Sequence, residues 1–251
     1  MHLFTLAMLN VPRISPPEGL TPTVQLVLRW IHFIAGITWV GLLYFFILVN
    51  TSFIQELDGS SRLKVVPLLM PRALWWFRWS SVVTVLAGIN YWMMIVSADA
   101  HNAQTHGGGA IGTFFGIWTL AFAVEMALLM GPLEILRKGP VFAVIMGVVL
   151  TGGGWLYLAL NAHGWESNRL LAIGIGGGIG WFMMLNVWGI IWRIQKKLIR
   201  WTKEAAGGGS MPPEAAGMGR LALLVSQTNF VLTFPMLLFM AIASHYPVFG
   251  P

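Results

Sequence analysis

The chemistry-bearing residues of this chain are few, and His32 stands out among them. It lies in Arg29-Trp-Ile-His-Phe-Ile-Ala-Gly-Ile-Thr-Trp39, which opens the first long apolar run. An imidazole in or near hydrocarbon is costly unless partnered, so an intramembrane ionisable residue marks a candidate site. Gly36, one turn along on the same helical face, leaves a side-chain-sized gap beside the ring. A flat macrocycle such as haem would use that gap. A neutral histidine hydrogen-bonded to a neighbouring helix accounts for the same residues equally well.

A second group is deeper. Glu125, Asn186, Gln227 and Asn229 fall at comparable depth on three different apolar segments, with Arg78 a turn or two nearer the inner face. An isolated carboxylate is expensive there, so Glu125 is expected to be paired, with Arg78 as the candidate, or protonated. As a catalytic layer, Glu125, Asn186 and Asn229 would hold a polar substrate or pass protons; as a structural one, they would hydrogen-bond between helices. The chain has no cysteine, which excludes disulfides, thiolate metal sites, iron–sulfur clusters and covalent c-type haem attachment.

The elements that must position these residues follow from composition. Hydrophobic residues make up 57% and charged residues 10% of the 251, against about a quarter charged in soluble domains. Mean hydropathy is +0.73. Several apolar runs reach the roughly 20 residues that cross a bilayer, and they lack the alternation of a barrel strand. The fold expected is an all-α integral membrane bundle of six helices, about 24–50, 75–97, 111–133, 141–161, 170–192 and 221–244. An outer segment, 1–23, precedes this transmembrane domain, 24–251, and has no basic region of the kind that opens a signal peptide. Between the first two helices, Pro67 and Pro71 are expected to break any long helix. Arg193 to Arg220 reads as the longest loop, basic at first and flexible through Gly207-Gly-Gly-Ser210. The glycines of the fifth segment, Gly174 to Gly180, suit close helix approach; no strand precedes them, so they are not a nucleotide fingerprint.

Alternating the six crossings places twelve of the fifteen Lys and Arg on or beside one face. Only Arg13, Arg29 and Arg169 lie opposite. The positive-inside rule then puts both termini of the multi-pass protein outside, in the periplasm if the source is a Gram-negative bacterium. It also explains the formal charge of +6 without a nucleic-acid partner. All six histidines, His2, His32, His101, His106, His163 and His245, fall at or just within the outer face. His245, His163 and His101 are candidate second ligands to an iron held by His32, and Arg29 is placed for a haem propionate. Interfacial polarity alone explains His101 and His106.

Four stretches together resemble a known family: Trp30–Phe46 (WIHFIAGITWVGLLYFF), Arg72–Trp79 (RALWWFRW), Gly180–Lys197 (GWFMMLNVWGIIWRIQKK) and Gln227–His245 (QTNFVLTFPMLLFMAIASH). They look like the membrane domain of the bacterial cytochrome-c-fused urate oxidases. The first helix is also similar, more distantly, to the histidine-containing first helix of the membrane protoporphyrinogen oxidase and copper-resistance families. That likeness implies haem b with His32 as an axial ligand. The family pattern continues into a further membrane segment and a c-type cytochrome, which this cysteine-free sequence does not carry. The resemblance therefore implies the membrane part of a urate oxidase-like oxidoreductase. It would pass electrons from a urate-like reductant or a quinol to a separate periplasmic cytochrome. A non-catalytic subunit of a larger respiratory or photosynthetic complex, with membrane lipids and other subunits as its partners, is the alternative.

Overall fold

The computed structural model describes residues 15–249. His2, Arg13 and the first fourteen residues of the outer segment lie outside them. Helix α1, Leu20–Tyr44, continues through a π turn, Phe45–Asn50, into α2, Thr51–Glu56. Then come α3, Gly59–Asn102; α4, Gly108–Met130; a 3-10 turn, Glu134–Arg137; and α5, Gly139–Asn161. Helix α6, Asn168–Asn186, runs through a second π turn, Val187–Ile191, into α7, Trp192–Ala206, and α8 spans Ala215–His245. The described residues contain no strand. Among the described residues six continuous helical stretches are long and apolar enough to cross a membrane: the first runs Leu20–Glu56 and the fifth Asn168–Ala206. The chain is an all-helical, multi-pass membrane protein.

The six crossings match the apolar runs, but the segments between them are more helical than expected. Residues 51–74 do not form a broken connection. Only Leu57 and Asp58 separate α2 from α3, and α3 passes straight through Pro67 and Pro71. Each proline removes one ladder hydrogen bond, and the two stand one turn apart, so both losses fall on one side of the helix. Arg72 Nη1 donates to the Leu68 carbonyl at 2.6 Å in the same turn. Helix α3 starts at a cap: Asp58 Oδ1 accepts from Ser61 N at 3.0 Å and from Ser60 Oγ at 2.7 Å.

The expected long loop 193–220 is likewise mostly helix. In α7, Ile194, Ile199, Trp201 and Thr202 are buried, while Arg193, Lys196, Lys197, Arg200 and Lys203 are exposed. That is one apolar stripe on a basic helix, which periodicity favours over a flexible loop. Only Gly207 to Glu214 is left to connect it to α8.

The fifth crossing is the centre of the bundle: 72% of its most apolar stretch is buried, against 17% for the first, and α6 holds most of its buried residues. Its glycines make this position accessible. A Cβ at Gly174 would overlap the Tyr157 ring of α5, and one at Gly178 the Trp118 ring of α4. Trp118 Nε1 instead donates to the Gly174 carbonyl at 3.1 Å. On another side, a Cβ at Gly176 would lie 2.9 Å from Phe239 Cβ of α8. Small residues thus bring three neighbours against one backbone, the usual basis of helix packing in lipid.

Candidate functional site

A cavity of about 460 Å³ opens between α1, α3, α4, α6 and α8, towards the end of the bundle where α1 begins. Its size is that of a typical small-molecule or cofactor pocket. The wall is mostly apolar, from Phe33, Ile37, Val85, Phe114, Ile173 and Met236 among others; Arg29, His32, Thr84, Tyr91 and Ser244 supply polar groups. Gly36, Gly88, Gly177 and Gly180 form part of the lining and keep it wide.

His32 is fixed rather than free to rotate. Its Nδ1 lies 2.8 Å from the Thr84 carbonyl oxygen. A carbonyl only accepts, so Nδ1 carries the proton and donates it, leaving the Nε2 lone pair unused in the neutral ring. Histidines that bind metals are commonly oriented in this way, by a hydrogen bond from the other ring nitrogen. The ring lies against Gly88 of α3, where a Cβ would stand 2.8 Å from Cε1 and Nδ1. The clearance for the imidazole therefore comes from Gly88; a Cβ at Gly36 would meet Thr84 Cγ2 at 3.6 Å, an ordinary contact. Arg29 lies over the Tyr91 ring, 5.7 Å from its centroid, at the mouth of the cavity. Trp39 also lines it, and its buried Nε1 has no hydrogen-bond partner among the described residues.

The other described histidines, His101, His106, His163 and His245, are not part of this lining. His101 and His245 are exposed at the ends of α3 and α8. His163 is turned to Glu166, whose carboxylate accepts from the His163 backbone N at 2.9 Å and pairs with its Nδ1 at 2.8 Å. Among the described residues no group of three His, Asp or Glu converges as a metal site. Of the candidate cofactor residues, the structure brings together Arg29, His32 and Gly36. Sequence reasoning missed Thr84, Gly88 and Tyr91. Gly88 carried one signal, as a lone glycine in the middle of an apolar helix.

The deeper layer is assembled in part. Asn186 Nδ2 donates to Asn229 Oδ1 at 2.9 Å, and Asn229 Nδ2 donates to the Met183 carbonyl at 3.1 Å. Glu125 is fully buried beside Asn186, with neither carboxyl oxygen hydrogen-bonded. Gln227 is exposed and does not join them. Arg78 forms no ion pair with Glu125. Its guanidinium instead stacks 3.9 Å from the Trp192 ring centroid and 5.1 Å from that of Trp188, a cation–π site that holds it on α7 and the second π turn.

No curated protein and no solved structure matches the chain. A family model described as "Urate oxidase N-terminal" matches residues 59–250. The match covers α3 to α8 and so holds Thr84, Gly88, Glu125, Asn186 and Asn229, while His32 on α1 precedes it. Since it takes in three-quarters of the sequence, including every helix that faces α1 across the cavity, the chain belongs to the urate oxidase N-terminal family.

Proposed function

We propose that this protein is a membrane-embedded redox module that binds one haem b in the cavity beside His32. The observation that carries the reading is the hydrogen bond from His32 Nδ1 to the Thr84 carbonyl, which fixes the tautomer a ligating imidazole needs. Supporting it are a cavity of cofactor size, glycines that leave room for a flat ring, and an arginine at the mouth to pair with a propionate. The residues fit the group. His32 would hold the iron, Arg29 would hold a carboxylate, and the buried Trp39 N–H would donate to an acceptor oxygen of the occupant. Haem supplies one-electron transfer; the protein sets its potential through axial ligation, hydrogen bonding and the dry apolar wall. Among the described residues His32 is the histidine that lines the cavity, so it is the side chain that would hold the iron there.

In this reading the basic end of the bundle faces the cytoplasm and the cavity opens near the outer face of the bacterial inner membrane. Electrons would come from a small reductant, urate-like or a quinol, and leave to a separate c-type cytochrome. The test is the absorption spectrum of purified protein. A Soret band present in the wild type and lost or shifted in His32→Ala is expected; its absence from protein purified with haem supplied overturns the proposal.

A second reading has one observation in its favour. Gly108, Gly112 and Gly116 repeat every four residues along an exposed side of α4, and a Cβ at any of them meets nothing within 4 Å. Such a face suits another membrane helix, as in an accessory subunit of a larger respiratory or photosynthetic complex. Co-purification with that assembly, and turnover unaffected by His32→Ala, would distinguish it.

A further inference from the structure

Glu125 is the only acidic side chain on α4, α5 and α6, and it is completely buried. Neither of its oxygens has a hydrogen-bond partner among the described residues. No cation faces it. On α3 the nearest candidate, Arg78, is held by Trp192 and Trp188; α5 carries only Tyr157 as a titratable side chain and α6 only Arg169, both near the opposite end of the bundle. On α8 the titratable groups, Arg220 and His245, are at its two ends. A bare carboxylate in such a place is far too costly to persist.

The neighbouring amides show what is missing. The Met183 carbonyl can only accept, so Asn229 must present its Nδ2 there and its Oδ1 to Asn186. Asn186 in turn must give its Nδ2 to Asn229, and its Oδ1 is left buried without a donor. The Asn186 side chain neighbours Glu125. A chain of three oriented groups thus ends on an acceptor beside a carboxyl group, neither of whose oxygens has a donor in hydrogen-bonding geometry among the described residues.

We infer that Glu125 is a proton-binding site inside the bilayer, carrying a proton on one oxygen and donating it to Asn186 Oδ1. This is independent of what fills the cavity by His32. Asn186 lies six residues beyond Gly180 of the cavity wall, about 9 Å at 1.5 Å per residue. Access for the proton is offered from the other end. A smaller cavity of about 100 Å³, lined by the polar groups of Asn50, Thr51, Gln195 and Ser226, reaches to within one turn of Asn229 along α8 and has room for a few waters.

Infrared spectroscopy of the full chain in lipid nanodiscs tests the assignment. The wild type should show a protonated-carboxyl stretching band at neutral pH that shifts in D2O and disappears in Glu125→Gln. In Asn186→Ala the band should move, since the carboxyl loses its acceptor; this variant keeps the test valid where Glu125→Gln fails to fold. Absence of the band from the wild type, or a band unmoved in Asn186→Ala, overturns the proposal. So does a rise in thermal stability on adding sodium ions that Glu125→Gln abolishes, because a bound metal ion would then be holding the oxygens in place of a proton.

Discussion

Gly88 and His32 occupy complementary space: the imidazole fills the volume that a Cβ on residue 88 would take, 2.8 Å from two ring atoms. Any side chain there must push the ring off the Thr84 carbonyl. Gly88→Ala should therefore lose bound haem about as completely as His32→Ala does, and cost about 1–3 kcal/mol from overpacking. Thr84→Val, which keeps the carbonyl, should retain it. Haem-to-protein stoichiometry in the three variants checks this, and full haem binding by Gly88→Ala would show that His32 is not the ligand.

The glycines of α6 and α5 should respond in opposite directions. Gly178→Ala places a methyl inside the Trp118 ring and is expected to destabilise by about 1–3 kcal/mol or more, since neither helix can yield without breaking the Trp118 to Gly174 hydrogen bond. Gly147→Ala, with nothing within 4 Å, should be neutral or stabilising by up to about 1 kcal/mol through helix propensity. Thermal unfolding in detergent separates the two.

Asn186 and Asn229 should be energetically coupled. Replacing Asn229 with Leu leaves Asn186 Nδ2 without its acceptor, and replacing Asn186 leaves Asn229 Oδ1 without its donor, while replacing both removes the need. A double-mutant cycle is expected to give a coupling of about 0.6 kcal/mol, the usual scale for such pairs in membranes. A coupling near zero would mean that the two amides do not depend on each other.

The start of α3 should be stable to acid. Hydrogen bonds from Ser61 and Ser60 hold the Asp58 carboxyl below the usual carboxylate range. A depressed carboxyl contributes its stability above its unfolded value, about 3.9, and loses it as the pH falls through the lower folded value. Hydrogen exchange at Ser61 and Arg62 should therefore stay slow as the solution is acidified past pH ~4. In Asp58→Ala it should be fast across the whole range.

Much of this was legible from residues alone, but only along the helix axis. Apolar runs of bilayer length located all six crossings, and the rise per residue placed His32 near one end and Glu125 and the two asparagines at one depth. Direction around the axis was not legible. Gly36 looked like the clearance beside His32 because it is the neighbour that periodicity supplies, whereas Gly88 is 56 positions away and only packing brings it there. His163 stands at the right level yet is turned aside by Glu166. Arg78 stands near the level of Glu125 yet is held by Trp192. Residues 193–206 were misread for a different reason. The spacing of Ile194, Ile199 and Trp201 is helical, but five basic residues and the glycines beyond them outweighed it.

The π turn at Val187–Ile191 works as a phase shifter. It holds one more residue than an α turn, so everything after it is rotated by about 100° relative to a continuous α-helix. The glycine face of α6 and the apolar stripe of α7 are thereby aimed at different neighbours by one unbroken rod. Were the same sequence wound as a plain α-helix throughout, Arg193 and Arg200 would take the places of Ile194 and Trp201. Trp192 would turn with them, depriving Arg78 of its closest ring. One surplus residue thus keeps the core half and the charged half of a single crossing in register with separate surroundings.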